Sequence, residues 1–187
     1  MKAMVVLVAL VLSIACAKAD TDAMFDAIRH GDVAAVKQLV AEGEPVNPTG
    51  RESMFPILWA ATFGDVAIAK YLLENGAMPD PLQDNAPLQS ACMNGYVDIA
   101  AALIRHGADP NRVDPDSRDG MTCLMRAVSA GSPELVRVLL TNGADVSMRD
   151  KQGRTAMDIS SDLRNRQEQI GAILDSEVQH NVGAPRR

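Results

Sequence analysis

The stretch RDGMTCLMRAVSAGSPELVRVLLTNGADVS, residues 118–147, has two halves of different character. TCLMRAVSA is a short, alanine-containing segment closed by Gly131, and SPELVRVLLTN is an amphipathic segment closed by Gly143. In the second half apolar residues recur at three- and four-residue spacing, as one face of a helix requires. Ser132 is placed to cap its start with Pro133 at the first helical position, and Gly143 can take the left-handed conformation that ends a helix. The unit therefore predicts two helices joined by a tight turn.

The same statement recurs up the chain. LLENGAMPD (72–80), LIRHGADPN (103–111) and LLTNGADVS (139–147) are variants of one phrase. Gly31, Gly64, Gly95 and Gly131 are followed twelve residues later by Gly43, Gly76, Gly107 and Gly143, so the unit repeats at spacings of 33, 31 and 36 residues. Between the members of each pair lie DVAAVKQLVAE, DVAIAKYLLEN, YVDIAAALIRH and SPELVRVLLTN. Upstream of the first glycine come FPILWAATF, APLQSACMN or TCLMRAVSA, small enough in their side chains for neighbouring helices to approach. A two-helix unit of this size cannot bury its own apolar face and must stack on its neighbours.

These units resemble ankyrin repeats, whose pattern runs D-x-x-G-x-T-P-L-H-x-A-A-x-x-G, a second helix, and G-A-D-V-N. The resemblance covers residues 22–174 and implies an all-α solenoid of helix-turn-helix units with finger turns. It divides 20–175 into an N-terminal cap (22–47), repeats at 50–80, 81–111 and 117–147, and a C-terminal cap (149–174) opening with DKQGRTAMDIS. The extra residues before the last repeat fall in RVDPDSRDG (112–120), a lengthened finger loop. SEVQHNVGAPRR (176–187) reads as a disordered tail. The family threonine survives only as Thr122 and Thr155, and its histidine position holds Leu58, Gln89, Met125 and Asp158. The ties between neighbouring turns are thereby thinned, which predicts modest stability.

The first twenty residues, MKAMVVLVALVLSIACAKAD, stand apart: an early lysine, an apolar run from Met4 to Leu12 and small residues after it make a signal peptide. Ala17-Lys18-Ala19 supplies the small-x-small pattern, placing cleavage after Ala19 and the mature chain in a bacterial periplasm. A lipoprotein anchored at Cys16 is the alternative, weakened by Ser13 where such signals carry an aliphatic residue. No later segment is long and apolar enough to cross a membrane, so none is expected to insert after cleavage.

Cleavage removes Lys2 and Lys18 and no acid, leaving 16 basic and 24 acidic side chains, a net charge of −8. Such a chain is a poor ligand for nucleic-acid phosphates. With only 3% aromatic residues, the core is built from Ala, Leu, Ile, Val and Met. Cys92 and Cys123 remain after cleavage. Placed on neighbouring parallel helices about five residues out of step, they are expected beyond the ~7 Å Cα separation that a disulfide tolerates, and so to be small core residues.

Catalytic chemistry finds no support. His30, His106 and His180 have no partner at metal-ligand spacing, no glycine-rich phosphate loop is present, and no serine lies in a nucleophile elbow. No cofactor is expected. An enzyme or small-ligand carrier would need a closed pocket with converging polar groups, for which the sequence gives no sign.

The resemblance instead implies a non-catalytic, monomeric binding module whose concave face meets a protein partner. Residues at finger turns and first-helix ends are the candidates: Arg51, Met54, Phe63, Leu82, Asn85, Met93, Asn94, Arg118, Met121 and Arg154. Met54, Phe63, Leu82, Met93 and Met121 form an apolar stripe on an otherwise acidic chain, a usual mark of protein recognition. Trp59 lies deeper in the helix pattern and reads as core. Two roles compete: an accessory to a periplasmic enzyme, or an immunity protein blocking a toxin, for which acidic Asp114, Asp116 and Asp119 suit a basic partner.

Overall fold

A computed structural model describes residues 23–48, 55–81, 86–113, 117–162 and 168–183. Every regular element among them is helical, with no strand. The chain divides into two compact units, Met1–Ala77 and Met78–Arg187, where the sequence suggests one continuous domain. The division falls in the connection that carries Pro79 and Pro81.

In the first unit, α1 (23–29) and α2 (Val33–Glu42) form one pair and α3 (Pro56–Phe63) and α4 (Val66–Glu74) the next. Asp32 and Asp65 cap α2 and α4 by accepting from the backbone N–H groups of Ala35 (2.9 Å) and Ile68 (2.8 Å), which satisfies donors that a helix leaves unpaired at its start. The core is thin. Met24, Ile28, Val36, Ile57, Ile68 and Leu72 are fully buried, with Ala60, Ala61 and Ala69 between them.

The second unit continues with α5 (Pro87–Asn94), α6 (Val97–Arg105), α7 (Cys123–Ala130), α8 (Pro133–Thr141), α9 (Ala156–Asp162) and α10 (Glu168–Gly183). First helices α5, α7 and α9 pack side by side in one layer, and second helices α6, α8 and α10 in another. Ser132 caps α8 through Leu135 N–H, with Pro133 in the first turn. Gly107 ends the turn after α6 with φ +104°, a conformation that a β-branched residue resists.

Helix α10 runs to Gly183, so the tail expected from residue 176 is helical through its first eight residues. Ile170, Leu174 and Val178 recur at four-residue spacing; the first two are buried against the unit and Val178 is at its edge. That stripe extends across the expected boundary and carries the helix with it. Residues 184–187, the signal segment and Asp114–Asp116 of the lengthened loop lie outside the described residues.

Beyond the helices, asparagines at one repeat position bind the next turn. Asn47 Nδ2 donates to the carbonyl of Gly76 (2.7 Å) in the first unit. In the second, Asn111 donates to the carbonyl of Gly143 (2.9 Å) and accepts from Asp145 N–H (2.7 Å). Where that position holds Asp80, the partner changes to a cation, Arg112.

Candidate partner-binding surface

On α1 and α3 a row of aromatic side chains and one arginine lies at the surface. Phe25 and Arg29 are one turn apart on α1, and Trp59 and Phe63 one turn apart on α3, so each pair shares a helix face. The pairs interdigitate. Trp59 lies 5.6 Å from Phe25 and 5.3 Å from Phe63 between ring centroids, tilted by 50° and 35°, within the range of favourable aromatic contacts. The guanidinium of Arg29 sits 5.9 Å above the indole centroid, at cation–π distance. Phe63 is 43% exposed.

Trp59 is therefore half-buried at the surface rather than in the core. Its repeat position follows the one the family gives to histidine, and the alanines Ala60 and Ala61 take the inward places instead. Three of the chain's six aromatic residues meet in this one row.

In the second unit the first helices are tied by polar contacts beside an exposed Met93. Gln89, at the family's histidine position, donates to the carbonyl of Arg112 (2.6 Å) and accepts from Arg126 Nε (3.2 Å). Arg126 also reaches Asp119 (3.1 Å), which accepts from the Ser117 hydroxyl (2.7 Å) and Met121 N–H (3.1 Å). Lys151 N–H then donates to the carbonyl of Asp119 (2.9 Å), fastening the end of the lengthened loop to the last turn. Gly120 fits against Lys151 so closely that a Cβ there would lie 2.9 Å from its Cγ. Ties expected to be thinned are thus made by a different set of residues.

Asp119 is held below the usual carboxylate range, chiefly by the Ser117 hydroxyl, with Met121 N–H and Arg126 adding to it against a desolvation cost. Asp150 is lowered too. Burial alone would raise its pKa, but Arg154 and Gln152 N–H groups and the Arg154 guanidinium outweigh that effect.

Cys92 and Cys123 are joined in a disulfide with a Cα separation of 5.5 Å, contrary to the expectation of two separate thiols. The expectation assumed neighbouring helices in register at ordinary spacing. Instead the first residue of α7 sits against the groove between Leu88 and Cys92, one turn apart on α5, with its Sγ 3.3 Å from the carbonyl of Leu88. Both cysteines are buried, and the bond ties adjacent repeats across a sequence separation of 31.

The ten candidates fall into three groups. Phe63, Met93, Asn94 and Arg118 are exposed, Met93 by 64%. Met121 and Arg154 are half-buried, and Arg154 is committed to Asp150 through Nε and Nη2 at 2.9 Å each. Arg51, Met54, Leu82 and Asn85 lie outside the described residues. Phe25, Arg29 and Trp59 were not among the candidates; their signal in the sequence is the four-residue spacing of an aromatic and a partner on each of two consecutive first helices.

The histidine rings make only local contacts where described: His30 and His106 donate from Nδ1 to backbone carbonyls one turn earlier, at 2.7 and 2.9 Å. Among the described residues no cluster of three or more His, Cys, Asp or Glu side chains could hold a metal. None of their helices is long and apolar enough to cross a membrane.

Paired short helices in two layers, glycine-closed turns and asparagine ties between successive units define a helical repeat protein. Two consecutive family models described as ankyrin repeats match residues 24–114 and 113–160, and the chain belongs to the ankyrin-repeat family. Proteins of this family generally mediate protein–protein interaction and are typically binding modules without catalytic activity of their own. The chain is 29% identical over 134 residues to a putative palmitoyltransferase, ZDHHC13, of Danio rerio, covering 70% of this chain and 20% of that protein. It is 30% identical over 139 residues to ankyrin repeat and SAM domain-containing protein 6 of Mus musculus, covering 69% and 15%. It is 27% identical over 141 residues to a transient receptor potential cation channel, subfamily A member 1, of Drosophila melanogaster, covering 72% and 12%. The chain thus spans a fifth or less of the length of these animal relatives.

Proposed function

We propose that this chain is a non-catalytic, monomeric binding module that is exported to a bacterial periplasm and recognises a protein partner through the exposed faces of its first helices. The observation that carries the reading is the exposure of Phe63 and Met93 at the ends of α3 and α5, two of the four large apolar side chains, with Met78 and Val178, that are left in solvent among the described residues. Such side chains on a polar surface favour a protein partner over a small molecule, which would need a closed cavity.

Export is supported independently. The order of charge, apolar run and small residues in 1–19 fits a cleaved signal, and the Cys92–Cys123 bond fits an oxidising compartment. N-terminal sequencing of the mature protein should begin at Asp20; a lipid-blocked Cys16 would replace the soluble form with an anchored one. Binding is tested by capture from periplasmic extract on the wild-type protein and on a Phe63→Ala, Met93→Ala double variant. A partner retained equally by both would overturn the assigned faces. Accessory and immunity roles separate by what is captured: a periplasmic enzyme that gains activity on binding, or a toxin that loses it.

A further inference from the structure

We propose that the row Phe25–Trp59–Phe63 with Arg29 is a docking site for an acidic–apolar segment of a partner protein, one that places an aromatic or aliphatic side chain on Phe63 and Trp59 and a carboxylate on Arg29. This rests on the reading of the chain as a protein-binding module and names the chemistry of the partner at the first unit's face.

Of the three rings Phe63 is the exposed one, with Phe25 and Trp59 half-buried behind it. Phe63 stacks on Trp59 along one edge and leaves 43% of its surface to solvent, so an incoming side chain can extend the aromatic row without any internal contact being broken. The rings are already fixed against one another, which lowers the ordering cost of binding.

The charged half selects the partner's sign. Arg29 is exposed, its guanidinium is held over the indole, and among the described residues no carboxylate pairs with it. A guanidinium stacked on an aromatic keeps its N–H donors directed outward in the plane, where a carboxylate can be taken by two of them. His30 stands beside it, also exposed. Asp26, one turn before His30, is the acid on the same helix, and what it gives His30 is a backbone carbonyl. Arg29 thus sets one unpaired guanidinium beside the aromatic row, and at that point a basic segment would meet repulsion where an acidic one is attracted.

Trp59 is the single tryptophan, so its fluorescence reports on this site alone. A phage-displayed library of random 12-residue peptides is panned against the wild-type protein, and the enriched sequences are synthesised and titrated by Trp59 emission. The expected peptides carry Asp or Glu within a turn of Phe, Trp or Leu and change the emission on binding. Phe63→Ala and Arg29→Glu should each weaken them at least tenfold, Arg29→Lys should do so less, and panning on the Arg29→Glu protein should enrich Lys and Arg instead. Thermal melts of the variants show that each is folded. Peptides without an acidic residue, unchanged affinity in both variants, or no enrichment at all would overturn the proposal. Peptides lost on Met93→Ala but not on Phe63→Ala would also overturn it, while leaving the binding-module reading intact.

Discussion

The first helices of the two units share a backbone plan and use their side chains differently. In α1 and α3 the surface side chains are Phe25, Arg29, Trp59 and Phe63, held by ring contacts and left half open to solvent. In α5 and α7 buried Gln89 and half-buried Arg126 are drawn into hydrogen bonds with Arg112 and Asp119, a disulfide joins the helices, and the exposed apolar side chain is Met93 at the end of α5. An apolar contact can stay partly exposed and still be offered to a partner, whereas a saturated polar network has little left to offer. The scaffold is common, and the side chains decide whether a face is a fastening or a surface.

The strongest way to break this contrast is to remove the covalent fastening. In the Cys92→Ala, Cys123→Ala double variant, loss of a loop closed across 31 residues should cost roughly 3–4 kcal/mol. Urea unfolding followed by circular dichroism should show it, and wild-type protein treated with reductant in denaturant should refold to the same lowered stability. Trp59 emission, a probe of the first unit, should shift less. Coincident curves for variant and wild type would mean that the bond carries no load.

The polar fastening has its own signature in pH. The carboxyl pKa values of Asp119 and Asp150 are depressed in the folded state, so the stability they contribute is present above the unfolded carboxylate value of about 3.9 and is lost as pH falls through the folded values. Stability should decline from about pH 4 downward. Asp150→Asn should cost about 1–2 kcal/mol at neutral pH, because a buried acceptor of Gln152 N–H, Arg154 N–H and Arg154 Nε loses its charge. The same variant should flatten the acid limb of the curve. A limb as steep as in the wild type would place the sensitivity elsewhere.

Backbone geometry tests the repeat register apart from either fastening. Gly107 has φ +104° and open space around its Cα, so Gly107→Val meets no clash and isolates the conformational cost. About 1–2 kcal/mol of stability should be lost in a thermal or urea melt. An unchanged midpoint would count against Gly107 as the closing residue of its turn.

What could be read in the sequence was whatever local periodicity specifies. The twelve-residue glycine pairs place four of the five second helices, α2, α4, α6 and α8, and the Ser132-Pro133 pair marks the start of α8 where its cap is found. Spacing also carried the unused signal for α10, since Val178 continues the stripe of Ile170 and Leu174. The disulfide could not be read in that way, because it depends on how far α7 slides along α5, and repeat alignment assumes no slide. Gln89 looked like a lost histidine contact, and only a three-dimensional neighbour, the carbonyl of Arg112, turns it into a tie. Among the candidate surface residues, exposure at helix ends was legible in Phe63, Met93 and Asn94. Arg154 was not, because its partner is the buried carboxylate of Asp150 on its own turn.

The smallest effect on stability is expected at the open face, and it is also the most discriminating. Phe63→Ala removes a ring that is 43% exposed and paired with Trp59, so the loss should be on the order of 0.5–1.5 kcal/mol, the range of an aromatic pair. A fully buried phenylalanine would cost ~3–5 kcal/mol. Binding should respond in the opposite sense, weakening by ~1–3 kcal/mol, because aromatic anchors carry a disproportionate share of interface energy. Melts and titrations on one protein therefore separate the two roles. A large stability loss with unaltered affinity would make Phe63 a fastening like Gln89 and Arg126, and the contrast between the two units would vanish at its central residue.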